Sequence, residues 1–309
     1  MESPDPRPFS GAQWTISAAG HEAVIVEVGG GLRTYRHDGV DLVDGYQTDE
    51  VCPGCTGQVL APWPNRIRDG RYPFGGRTHQ LPLTEPERHV AIHGLVNWVP
   101  WRLLEQSEAA VTLGYDLPPQ LGYPWPLRLL SRWSVDADGL RAEHEVTNIG
   151  AELAPFGFSV HPYLQLPGVA VDDLVMRLPT RSRVLVDGRL LPVGVTPVAG
   201  TEYDWTSPRR IGAAVLDSCF GEVISDADGG SSVSLSAPDG STGVRVWADA
   251  EFGWWQVFTG DTLTGDRHRR SVAIEPMTCP PDAFRSGKDL LTLKPGTTWR
   301  GAWGIRPGA

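Results

Sequence analysis

Two side chains that exchange protons readily occupy matching positions in this chain of 309 residues. His161 ends the apolar run in FGFSVHPYLQLPG, and Glu275 ends the one in VAIEPMTCPPDAF. A proline follows each at once, Pro162 and Pro276, and each proline is expected to stop strand pairing there. Burying an unpaired carboxylate is costly, so a lone glutamate delivered by an apolar strand needs a reason. One reason is structural, a carboxylate held by an arginine. The other is chemical: an imidazole titrates near neutrality, and with a carboxylate it forms a general acid and a general base. The recurrence of the pattern at two strand ends favours the chemical reading.

Two further segments break the local pattern. In APWPNRIRDGRYPFGGRTHQL, residues 61–81, Arg66 follows Pro64-Asn65 and precedes Ile67. An apolar neighbour can hold Arg66 inward, where a fixed guanidinium donates several hydrogen bonds to adjacent hydroxyls. Arg68 and Arg71 read equally well as solvated ion-pairing residues. In HVAIHGLVNW, residues 89–98, His93 precedes Gly94, and a glycine permits close backbone approach. His93 is either a structural histidine or a ligand contact. Trp63, Trp98, Trp101 and Trp125 lie near these segments. Flat aromatic faces suit the apolar faces of sugars, while a few placed polar groups read the hydroxyls.

The elements that must position these residues are short strands. Glycine (36) and proline (27) punctuate runs rich in valine, leucine, threonine and aromatics. EAVIVEVGGGLRTYRHDGVDLV reads as strand, break, strand, turn, strand. AAVTLGYDL, LRLLSRWSVDADGLRAEHEVTN and SSVSLSAPDGSTGVRVWADA repeat the idea, with turns at Asp138-Gly139 and Asp239-Gly240. Within LRAEHEVTN, Leu140, Ala142, His144 and Val146 alternate with Arg141, Glu143, Glu145 and Thr147, the period of a strand with one wet face. No long stretch shows a helical period. The expectation is an all-β sandwich or barrel, one domain over residues 1–309.

Bulk properties narrow the partners. A composition of 40% hydrophobic and 21% charged residues is that of a globular protein. A formal net charge of -10 argues against nucleic acid or an anionic membrane. The N-terminal segment lacks the basic start and apolar core of a signal peptide, so a cytoplasmic location is expected. The four cysteines, Cys52, Cys55, Cys219 and Cys279, are then expected as reduced thiols. Cys52-Pro-Gly-Cys55 and His89-x3-His93 imitate zinc-finger spacings, but the gap between the pairs far exceeds the usual ~12–15 residues. No metal is expected, and no nucleotide either, since no Walker or Rossmann glycine pattern occurs.

The segments GQVLAPWPNRIRDGRYPFGG, AIHGL, GFSVHPYL, AVLDSCF and VAIEPMTCPPDAF occur in the order seen in aldose 1-epimerases, also called galactose mutarotases. The chain resembles that family from about Ala18 to Ile305, and most of all its bacterial subgroup with APWPNRI and EPMTCPPDAF motifs. The resemblance implies an antiparallel β-supersandwich with a sugar in an open cleft and no cofactor. It implies His161 as general acid and Glu275 as general base. Arg66, His93, Asp217 and Asn65 become sugar-binding residues, with Ser218 where the family often carries a second polar or acidic group. The implied substrate is a free aldohexose. Rivals on the same fold are a hexose-6-phosphate epimerase, which would draw phosphate ligands from Arg68, Arg71 and the run at 266–270, and a noncatalytic sugar-binding protein. A glycosidase usually needs two carboxylates across the scissile bond, and only one acid is well placed here.

Overall fold

The computed structural model describes residues 7–308. They form antiparallel sheets almost throughout, and the only α-helix among them is the four-residue turn Ala283–Ser286. The largest sheet has nine strands. Arg102–Gln106, Ala110–Leu117, Leu127–Asp136 and Gly139–Asn148 follow one another as a meander. Thr298–Pro307 then pairs with Gly139–Asn148 on one side and Gly243–Ala248 on the other, joining the two halves of the sheet.

The predicted alternation appears as expected. Leu140, Ala142, His144 and Val146 are buried, while Arg141 is exposed and Glu143, Glu145 and Thr147 are half-buried. His144 is a core histidine with both ring nitrogens engaged. Trp303 Nε1 donates to its Nε2 at 2.9 Å, and its Nδ1 lies 2.8 Å from Ser131 Oγ. Burial holds its pKa down to about 3, so the ring is neutral.

The second large sheet has eight strands, and its centre is Trp254–Phe258 beside Val272–Met277. It packs on the nine-stranded sheet through Trp255, whose Nε1 donates to Ser231 Oγ at 3.1 Å, and near its edge through Phe158 against Trp299. Strand geometry sends alternate side chains to opposite faces. Trp255, Val257, Val272 and Ile274 therefore enter the main core, while Gln256 and Glu275, which are register partners, share the other face. All six residues of Val272–Met277 are buried, so the apolar run reflects two covered faces.

Pro276 does not end the strand. Pairing continues to Met277, opposite both Trp254 and Ser159. The reason is directional. Ile274 and Thr278 send their N–H groups to Pro162 and Phe158, so the donor that Pro276 lacks falls on that same side. There Ser159 Oγ donates to the Pro276 carbonyl at 2.8 Å. Pro162 behaves as expected: the neighbouring strand breaks at His161-Pro162 and resumes at Tyr163–Leu164.

The loops over this face are fixed by a close backbone crossing. Leu95 N–H donates to the Ala61 carbonyl at 2.7 Å, and Gly94 bridges Ala61. A Cβ on Gly94 would lie 2.0 Å from the Ala61 carbonyl oxygen, and its φ is +78°. The glycine serves this crossing. Gly94→Ala is expected to destabilise the fold by more than ~2 kcal/mol through clash and left-handed strain. A thermal or urea melt measures it.

Candidate active site

A cavity of about 270 Å³ opens on the Glu275 face of the eight-stranded sheet. Its lining includes all six residues singled out by the sequence: Asn65, Arg66, His93, His161, Asp217 and Glu275. They come from five separate parts of the chain, brought together by sheet pairing.

Glu275 is 2% exposed and His161 6% exposed. Glu275 Oε1 stands 3.3 Å from His161 Nε2. The His161 ring projects from the strand break, stacked on Tyr163 at 4.9 Å between centroids. The Gly57 N–H donates to the His161 carbonyl at 2.8 Å, and His161 N–H donates to Gln58 O at 3.3 Å, which pins the break.

Arg66 and His93 are set by a small two-stranded ladder, Arg66–Arg68 against Val90–Ile92. One residue outside it on each strand, Asn65 and His93 adopt left-handed backbone, φ 54° and 62°. His93 N–H donates to the Asn65 carbonyl at 3.0 Å, and Asn65 Oδ1 accepts the Arg66 N–H at 2.9 Å. Non-glycine residues in this region store strain of order 1–3 kcal/mol each, a feature common at working sites. Asn65 is thus committed partly to shaping the loop.

Asp217 begins the strand Asp217–Val223 and accepts a 2.6 Å hydrogen bond from Gln256 Nε2. Ser218 pairs with Val257 on the opposite face and does not line the cavity.

Several lining residues escaped the sequence reading. Glu85 accepts two hydrogen bonds from Arg66, Nε to Oε2 at 2.7 Å and Nη2 to Oε1 at 3.1 Å. Nothing in the loop sequence TEPERH marks it. Gln256 and Tyr163 did leave signals. Gln256 is the one polar residue inside WWQVF, and Tyr163 follows His161 at the strand spacing of two. Phe258 and Cys55 also line the cavity. The expected tryptophans do not: Trp63, Trp101 and Trp125 are packed in the core, and Trp98 is an exposed surface residue. Trp63, Trp101 and Trp125 are taken up by the core beneath these loops, so the aromatic lining falls to Tyr163 and Phe258.

His89 lies on the surface, its Nδ1 3.1 Å from Asp69, whereas His93 faces the cavity, so the pair does not converge on a metal. The run at 266–270 is equally committed. Arg267 binds Glu50, Arg269 binds Asp172 and Asp261, and Arg270 binds Asp44 and Asp266. Arg68 faces Asp187 and Asp282, and Arg71 is exposed.

Burial dominates the site's electrostatics. It lifts the Glu275 pKa well above the usual carboxylate range; Asp217 adds to the rise and Arg66 opposes it. Burial lowers His161 to about 4, against its own backbone carbonyl and with Arg66. His93 is lowered well below its usual value by burial, His161 and Arg66. Asp217 is raised by burial, with Arg66 and Gln256 opposing. For Arg66, burial works against the charge, yet Glu85, Asp217 and Glu275 outweigh it and raise the pKa. His93 Nδ1, Glu275 Oε2 and Gln256 Oε1 are buried and have no hydrogen-bond partner among the described residues. The arrangement is an acid–base pair beside hydrogen-bonding groups in a small cavity, suited to moving protons on a polyhydroxylated molecule.

The aldose 1-epimerase family profile matches residues 12–306. The chain belongs to the aldose 1-epimerase family. It is therefore an isomerase of the carbohydrate-epimerase type. Its sequence is 35% identical over 292 residues to the uncharacterized protein YihR of Escherichia coli K12, covering 94% of this chain and 92% of that one. It is 27% identical over 172 residues to galactose mutarotase of Mus musculus, covering 52% and 48%. The fold matches a putative aldose 1-epimerase from Escherichia coli K12, with TM-score 0.83, 20% identity, and coverage of 96% and 98%. It also matches galactose 1-epimerase from Lactobacillus acidophilus, with TM-score 0.81, 21% identity, and coverage of 96% and 95%. The β-supersandwich is thus the fold of this family. Among the described residues, no helix is long and apolar enough to cross a membrane.

The pKa shifts have opposite consequences for stability. A raised Glu275 binds its proton more tightly when folded, so its contribution is full below the ordinary value of 4.5 and is lost as pH rises toward the folded value. A lowered His161 acts in reverse: between about 4 and 6.5 the unfolded chain binds more protons, and stability climbs with pH. Glu275→Gln is expected to raise the melting temperature relative to the parent, by more at about pH 8 than at about pH 5. Melting curves across that range check the sign.

Proposed function

We propose that this protein interconverts the α and β anomers of a free, uncharged aldohexose, with Glu275 as general base and His161 as general acid. The observation that carries the reading is the buried 3.3 Å contact between Glu275 Oε1 and His161 Nε2 at the floor of a cavity small enough for a single sugar ring. Glu275 takes the proton of the anomeric hydroxyl while His161 delivers one to the ring oxygen. The C1–O5 bond breaks to leave an aldehyde. Rotation about C1–C2 presents its other face, and closure reverses the two transfers. The reaction begins with the pair as carboxylate and imidazolium and passes through carboxylic acid and neutral imidazole. The pair holds one proton in total in both forms; burial favours the neutral one, carboxylic acid with neutral imidazole, and proton transfer within the pair supplies the ion pair that starts the reaction. Arg66 and His93 support the ring oxygen as charge develops there. Asp217, with Asn65, orients hydroxyl groups. No group is transferred and no redox change occurs.

The charges favour a neutral sugar over a phosphorylated one. The cavity lining has one guanidinium, Arg66, against the carboxylates of Glu85, Asp217 and Glu275. The cations that a phosphate would need are paired elsewhere, as described above. The same reading treats residues 1–309 as one domain, supported by the core that spans both large sheets. It also has the protein working in the cytoplasm, where four unpaired cysteines are ordinary.

Polarimetry tests the proposal. Addition of the protein to fresh α-glucose or α-galactose is expected to speed the approach to anomeric equilibrium. His161→Ala and Glu275→Gln, with folding intact, are each expected to lower kcat by ~10²–10⁴-fold. Full activity in both variants refutes the assigned roles. Sugar binding by calorimetry with no mutarotation of any aldose would instead support the noncatalytic reading. Glucose is expected to turn over and glucose 6-phosphate to be a poor substrate.

A further inference from the structure

We infer that Glu85 is the specificity-determining residue that keeps anionic sugars out of this cavity, by holding two guanidiniums that would otherwise form an anion site. The inference deepens the sugar-isomerase reading and rests on it for the substrate class. Glu85 takes two hydrogen bonds from Arg66, and its Oε1 lies 3.4 Å from Arg88 Nε. A forked guanidinium binds phosphate or sulfate as well as it binds a carboxylate, so an internal carboxylate occupies the fork that an anionic substrate would use. Arg88 Nε has no hydrogen bond of its own beyond this ion pair.

The carboxylate is held firmly in place. Glu85 and Val90 exchange both backbone hydrogen bonds, at 3.1 and 3.3 Å, and Glu85 opens the turn Pro86–Arg88. Thr84 Oγ1 accepts the Ile92 N–H at 2.9 Å, which ties the segment to the strand leading into His93. Glu85 is mostly covered, with 15% of its side chain exposed, so water screens the pair only partly. Without the Glu85 charge, the Arg66 fork loses both of its hydrogen-bond acceptors and Arg88 its ion-pair partner, with Asp217 and Glu275 left as the carboxylates that act on Arg66. Glu85 is thus a positioning residue for Arg66 as well as a barrier to anions.

Calorimetric titration of inorganic sulfate at low ionic strength into the full chain tests this without requiring any turnover. The parent protein is expected to show no binding below ~10 mM, Glu85→Gln to bind at least ~tenfold more tightly, and Glu85→Asp, which keeps the charge, to resemble the parent. In the mutarotase assay, Glu85→Gln is expected to become competitively inhibited by sulfate and to raise KM for glucose more than it lowers kcat. Sulfate binding in the parent cavity, or a folded Glu85→Gln as indifferent to sulfate as the parent, overturns the inference. If Glu85→Gln does not fold, Glu85→Ala is titrated in its place with the same two outcomes, and sulfate binding by the parent or by Glu85→Asp refutes anion exclusion in either case. Absence of mutarotation in the parent would refute the functional reading while leaving the sulfate result to stand by itself.

Discussion

Burying a carboxylate beside an imidazole is the constraint around which the rest of this molecule is arranged. Glu275 cannot sit on the inner face of its strand, where Ile274 and Val272 join the core, and it is not solvated on the other. It survives there because His161 lies within reach and because Arg66 brings positive charge nearby. Each of those partners needs its own support. His161 needs a strand interrupted at one point, and Arg66 needs Glu85. The two left-handed residues, Asn65 and His93, lock the remaining loops. The cavity is consequently built from backbone irregularities anchored to regular sheets, and the irregularities coincide with the polar groups.

The sheets do for this site what a rigid frame does for any catalytic pair: they fix separation. Gln256 and Glu275 are register partners on adjacent strands, and Asp217 reaches Gln256 from the next strand along. These three groups are spaced by strand separation alone, which flexes little. By contrast His161 owes its place to the gap in the ladder opposite Pro276. Two prolines, one on each side of that gap, remove the donors that would have closed it.

Much of this was legible in the residues themselves. Period two in Leu140 to Thr147 announced a half-covered strand, and the hairpins around it followed from their turns. The six cavity residues lay beside prolines, glycines or apolar runs, where a polar side chain is conspicuous. What could not be read was anything that depended on which face of a doubly buried strand looks outward. Val272–Met277 is apolar on both faces, so the pattern alone could not show that Glu275 lies inside the pairing instead of at its end. The tryptophans misled for a related reason: proximity in sequence to a site loop says nothing of which side of the sheet a ring enters. Glu85 was invisible because its meaning comes from Arg66, nineteen positions earlier, and no local pattern links the two.

The placement of Thr298–Pro307 between Gly139–Asn148 and Gly243–Ala248 carries a consequence for how the molecule assembles. Leu140 pairs with Ile305, and Ile305 in turn with Val246. Neither half of the nine-stranded sheet can cover its exposed edge until this late segment arrives, and the wait is long because the closing contacts are distant along the chain. During synthesis the half-built sheet would present unpaired edges to its neighbours, a state prone to sticking. Closure of the nine-stranded sheet, against which the sheet carrying the proton-transfer pair packs, therefore waits for Thr298–Pro307.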